Sequence, residues 1–132
     1  MATKDDRLLP LVALNLTGIV GAVSYRKIIA SCGSVGALAE ASPGRLASTG
    51  LPAAQILRAM RTIRTEGLAE KEIALAETEG IDILTIEDER YPPPLRNIYD
   101  PPLLLYVKGA LRENAFLSIG IVGSRQCTVY GK

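Results

Sequence analysis

Histidine is absent from all 132 residues. That excludes Ser-His and Cys-His nucleophilic pairs and imidazole-ligated metals within the chain, because each needs the one side chain that titrates near neutral pH. Cysteine is nearly absent. Cys32 and Cys127 stand far apart and form no CxxC pair, so neither a disulfide scaffold nor a zinc site of the usual spacing is built here. Without histidine, Cys127 is not read as a catalytic thiol. Long apolar runs are missing too: none reaches the ~18 residues needed to span a bilayer. The opening Met1-Ala-Thr-Lys-Asp-Asp6 lacks an apolar signal core. A cytoplasmic protein with no membrane partner is the expectation. Excess charge is also lacking. The formal net charge is +1, so the molecule as a whole is no generic binder of polyanions.

The charge is unevenly placed, however. Residues 1–60 carry six Lys/Arg against three Asp/Glu, residues 61–90 four against nine, and residues 91–132 five against two. The acidic middle reads as a solvated helix face that would repel nucleic acid, and the carboxy-terminal part would not. With 48% hydrophobic and 22% charged residues, the chain is expected to fold.

Up to residue 79 the patterning is helical throughout. Leu8, Leu9, Val12, Leu14 and Leu16 predict a first helix, capped by Asp5 or Asp6, with Pro10 tolerated if it falls in the first turn. Gly18-Ile-Val-Gly21 then leads into a helix over 22–30, with Val23, Ile28 and Ile29 inward and Arg26 and Lys27 outward. A Gly-apolar-x-Gly turn between two helices resembles helix–hairpin–helix modules, whose backbone amides touch phosphates. That signal is weak alone, and a tight helix–helix turn needing small residues is the preferred reading. Gly33 suits a helix end and Ser34 the cap of a short helix over 35–41. Ser42-Pro43-Gly44 reads as a loop, and 45–48 as a single turn. The next helix, after Pro52, shows Ala53, Ile56, Leu57 and Met60 at i, i+3, i+4, i+7. Arg58, Arg61 and Arg64 form a basic stripe on it, read as solvated. The run from Leu68 to Glu79 has Leu68, Ile73, Leu75 and Ala76 inward. About five helices and no strand are expected here.

At Ile81 the pattern changes to the alternating, β-branched Ile-Asp-Ile-Leu-Thr-Ile86, a strand. Tyr91-Pro-Pro-Pro94 and Asp100-Pro-Pro102 break regular structure and set the path between strands, with a helical turn at 95–98. Tyr91 and Tyr106 are read as packing residues. Leu103–Val107 predicts a second strand and Leu117–Val122 a third. The third ends on Gly123-Ser124-Arg125, followed by Thr128. Strand, glycine turn and helix-capping residue make the layout of a βα phosphate-binding turn. Gly123 permits close backbone approach, Ser124 donates to a phosphate oxygen, Arg125 supplies a bidentate fork and a stacking plane, and Thr128 caps the following helix. The fold class expected is α+β: a helical bundle over 1–80, then the first strands of an α/β domain over 81–132. The chain stops at Lys132 before that helix, so a longer protein is expected.

The ordered string Tyr91-Pro92, Leu95, Ile98, Asp100-Pro-Pro102, Leu104-Leu105-Tyr106, Gly109, Leu111, Ile121-Val-Gly-Ser-Arg125, Thr128 and Tyr130-Gly131 resembles the DNA-processing protein A family, also called the Smf family. The helices before it resemble that family's sterile-alpha-motif-like domain in layout. The resemblance implies a Rossmann-like central domain that binds single-stranded DNA, with Gly123, Ser124, Arg125 and Thr128 at the phosphate. It implies loading of a RecA-type recombinase during natural transformation, and dimers. Members are not known as enzymes, so no catalytic residue, cofactor or metal is expected. Two alternatives stay open. One is a nucleotide-binding enzyme of the lysine-decarboxylase-like phosphoribohydrolase group, which shares a glycine-serine-arginine turn. The other is a helical protein-interaction module. The open edges of strands 103–107 and 117–122 also predict self-association.

Overall fold

The structure is a computed structural model that describes residues 4–38, 41–111 and 123, with side chains from Arg7 onward. The first helix, α1 (Lys4–Leu16), is the hub. Leu11, Val12, Ala13 and Leu14 are buried in succession, so the helix is covered on more than one side. It packs on α3, α5, α6 and a strand introduced below. The helix begins at Lys4, which puts Asp5 and Asp6 inside it rather than at a cap. Pro10 therefore falls in the interior, not the first turn, and costs one ladder hydrogen bond.

Helix α2 (Ala22–Cys32) turns Ala22, Tyr25, Ile28 and Cys32 into the core at helical spacing. Val23, expected inward, lies roughly 160° round the helix from that line at ~100° per residue, and it is exposed. Gly33 ends the helix in a left-handed conformation (φ 83°) that a side chain would strain, donating its N–H to Ile29 O at 2.8 Å. The Ser34 hydroxyl accepts from Ala37 N–H at 3.1 Å and starts α3 (Val35–Leu38). Helix α4 (Pro43–Ala47) begins two residues before the expected turn. Ser42 Oγ caps it by accepting from Arg45 N–H, and Pro43 occupies the first turn, where its missing N–H does no harm. So Ser42-Pro43-Gly44 is a helix start, not a loop.

Helix α5 (Ala53–Thr65) buries Ala53, Ile56, Met60 and Ile63 and leaves Arg58, Arg61 and Arg64 exposed. Helix α6 (Leu68–Thr78) starts after Gly67 (φ 61°), packs on α1 and α5, and buries two small residues, Ala69 and Ala76. Those alanines set which face is inward. Leu75, expected inside, lies roughly 110° away from their line and is 59% exposed. Six helices, not five, are present among the described residues up to 78.

Two strands follow. β1 (Ile81–Thr85) pairs antiparallel with β2 (Leu104–Lys108), with Ile83 opposite Tyr106 and Thr85 opposite Leu104. Both expected strands form, the second shifted by one residue. Ile83, Leu103 and Leu104 join the same hydrophobic core as the helices. The architecture is thus α+β: α-rich, with a small two-stranded sheet among the described residues. Between the strands, α7 (Pro93–Arg96) replaces the turn expected at 95–98, because prolines favour a helix's first positions. The third expected strand, 117–122, lies outside the described residues.

Candidate functional site

Of the four expected phosphate-binding residues, Gly123 alone is described. It is exposed, and a Cβ built on it would meet no atom of the other described residues within 4 Å. Ser124, Arg125 and Thr128 lie outside the described residues, as do Cys127 and Tyr130. What the structure does resolve is how the chain leading to that turn is fastened to the helices.

Three contacts do this work. The first is at the start of α2. Gly21 has no side chain to cap this helix, and no local residue does so. Instead the Asp100 carboxylate, 78 residues away, accepts from Ala22 N–H at 3.0 Å. A Cβ on Gly21 would sit 3.3 Å from Asp100 Oδ1, so the glycine makes room for the carboxylate. An anion at a helix N-terminus is favoured by both the free N–H groups and the helix dipole. The finding also bears on the Gly18–Gly21 hairpin. The end of the hairpin where a phosphate would dock is occupied by this protein's own carboxylate, which supports the tight-turn reading over phosphate contact. Asp100→Ala should destabilise the fold by about 1–2 kcal/mol, as loss of an N-cap does, and Asp100→Asn by less. Urea unfolding checks this, and equal midpoints for wild type and Asp100→Ala would exclude the capping role.

The second contact is Tyr91. Its ring is fully buried, its hydroxyl donates to Pro102 O at 2.9 Å, and the Arg96 guanidinium lies 5.5 Å above the ring centre. Arg96 Nη2 also donates to Asp88 O at 2.6 Å. With Pro101 fully buried as well, the loop between the strands is held at both ends. Of the prolines, Pro93 and Pro94 open α7 and Pro101 is packed inside.

The third contact is Glu87, in the turn after β1. It accepts from the Tyr25 hydroxyl of α2 at 2.7 Å and from Arg7 Nη1 of α1 at 3.2 Å. Burial first, and then the hydrogen bond and charge of Glu87, push the Tyr25 hydroxyl well above the ordinary phenol range. Arg90, in the same turn, pairs with Asp82 of β1 at 3.0 Å and with Asp88 at 3.4 Å. Tyr106, expected as a packing residue, is 42% exposed. Partial burial pushes its hydroxyl up to about 12, helped by Glu72, to which it is hydrogen-bonded.

Two open grooves mark the surface of the described residues. One, of about 430 Å³, has an apolar floor including Leu9, Leu57 and Met60, with Arg61 and Arg64 beside it. The other, of about 740 Å³, runs between Tyr25 and the acidic turn Glu87-Asp88-Glu89. Neither supplies a nucleophile next to a base. Cys32 is buried in the core, and no cluster of His, Cys, Asp or Glu that could hold a metal occurs among the described residues. Among them, too, no helix is long and apolar enough to cross a membrane.

Sequence reasoning missed the cap by Asp100 and the bridge by Glu87. The first had a signal: a helix whose N-cap is glycine, with no Ser, Thr, Asp or Asn beside it, needs a partner from elsewhere.

Comparison with known proteins bears on the same stretch. Residues 82–132 match the family described as DNA recombination-mediator protein A. The "DNA processing protein DprA" of Bacillus subtilis is 42% identical over 64 residues, which cover 46% of this chain and 20% of that protein. That of Streptococcus pneumoniae is 45% identical over 55 residues, covering 42% and 20%. "Protein Smf" of Borreliella burgdorferi is 34% identical over 59 residues, covering 45% and 19%. The aligned part of the chain thus spans about a fifth of the length of these relatives. None of the three is named as a phosphoribohydrolase. No solved structure matches at a significant level. The family match takes in the Tyr91, Asp100-Pro-Pro102 and Gly123-Ser124-Arg125 elements together, so the part of the chain from residue 82 onward is similar to the DNA recombination-mediator protein A family.

Proposed function

We propose that this chain serves in a protein that binds single-stranded DNA and passes it to a RecA-type recombinase, without catalysis of its own. In this reading residues 1–80 are a sterile-alpha-motif-like helical domain. Residues 81–132 begin a Rossmann-like domain that carries the DNA site in the cytoplasm. Gly123 lets the DNA backbone come close, Ser124 and Arg125 hold a phosphate, and Thr128 caps the helix facing it. The observation that carries the reading is the family match, which runs through the glycine-serine-arginine turn. The basic balance of residues 91–132, five Lys/Arg against two Asp/Glu, agrees with it. Self-association through open strand edges belongs to the same proposal.

The test is Arg125→Ala, with a labelled oligothymidine titrated at several salt concentrations. Loss of one phosphate contact should weaken binding roughly tenfold and flatten the slope of log K against log salt by ~0.7. Unchanged affinity together with an unchanged slope would remove Arg125 from the site.

A further inference from the structure

The described residues hold four tyrosines, and three of them have their hydroxyls satisfied within the fold. Tyr25 donates to Glu87, Tyr91 to Pro102 O, and Tyr106 is bonded to Glu72. Tyr99 is different. It is 86% exposed, and no hydrogen bond joins it to any described residue. Leu95 and Ile98, close to it in sequence, are exposed at 37% and 46%.

A projecting aromatic ring offers a flat π-face for stacking. This one is also held firmly. The loop that carries it leaves α7 at Arg96, which is fixed to Tyr91 and Asp88 O. On the other side Asp100 is bonded to Ala22 N–H and Pro101 is fully buried. Little conformational freedom is left for a ligand to remove, so the ring is preorganised. The neighbouring charges suit a nucleic acid. Asp100, the one acid beside Tyr99 in sequence, has its carboxylate at a helix N-terminus, which offsets its repulsion of phosphates. Arg96 is exposed and spends one N–H on Asp88 O, leaving other donors of its fork open to a backbone oxygen.

We propose that Tyr99 is a stacking platform for an unpaired nucleobase, lying outside the glycine-serine-arginine turn and extending the DNA path across the loop between β1 and β2. The inference rests on the single-strand-binding reading above. Stacking needs a flat π-face and no particular base, so the contact is indifferent to sequence.

The chain contains no tryptophan, so Tyr99→Trp introduces a single indole reporter. Titration with a labelled oligothymidine should quench its emission, in step with the anisotropy of the DNA label. Tyr99→Ala should weaken binding roughly tenfold, as loss of one stacked base does, while Tyr99→Phe stays within about twofold of wild type. If anisotropy reports binding but the indole emission does not move and Tyr99→Ala binds as wild type, the platform is wrong and the DNA reading stands. An indole emission that shifts with protein concentration, and not with DNA, would assign the ring to a protein contact and overturn the proposal. Absence of any binding by the wild-type chain would overturn both readings.

Discussion

Tyr91→Ala is expected to lower the unfolding free energy by about 3–5 kcal/mol, the range for emptying a buried aromatic site. Three losses combine. The ring, fully buried, would leave a cavity where the loop between the strands meets the core. Pro102 O would lose its donor, at about 1 kcal/mol. Arg96 would lose the ring under its guanidinium, worth about 0.5–1 kcal/mol at an exposed site. Domains of this size are stable by about 5–15 kcal/mol, so the variant should be partly unfolded at modest urea. Tyr91→Phe separates the terms: it keeps the ring and removes only the hydroxyl bond, at about 1 kcal/mol. Equilibrium urea unfolding followed by far-UV circular dichroism reads both. A Tyr91→Ala midpoint matching that of Tyr91→Phe would show that the ring does not anchor the loop. On the proposed single-strand-binding reading, DNA affinity falls in Tyr91→Ala as well, because the loop carrying Tyr99 is held from this side.

Leu14→Ala should cost about 3–5 kcal/mol, and Leu75→Ala about 0.5 kcal/mol or less. Both leucines sit in helices and both occupy positions that periodicity alone marks as inward. Leu14 is fully buried in α1, the helix that packs on α3, α5, α6 and β2, so its truncation leaves a cavity in the core. Leu75 is 59% exposed, and alanine has the higher helix propensity. Thermal or urea unfolding of the pair tests the packing of α1 and α6 at once. Equal losses at the two sites would mean that α6 is rotated from the position described.

Much of this was legible without coordinates. The helical run before residue 80, both strands of the sheet, the end at Gly33 and the cap at Ser34 follow from local signals that act within a turn or two. The family string, from Tyr91 to the glycine-serine-arginine turn, was legible because it is a fixed order of residue types. Helix rotation was less so. The apolar sets of α2 and α6 are too broad to show which edge faces in, and Val23 and Leu75 were placed on the wrong side.

The sequence by itself determined the kinds of element, their order, and the exclusion of histidine-based chemistry. Only the tertiary structure decided which distant groups meet. Asp100 caps a helix 78 residues away, and Glu87 joins Tyr25 and Arg7 across 62 and 80 residues. The reason is physical. Propensity and periodicity describe a residue against its own segment, whereas a cap or bridge between segments forms only once packing has brought them together. The same holds for Tyr99: nothing in its local pattern separates it from Tyr91, and only the folded loop leaves one ring buried and the other bare.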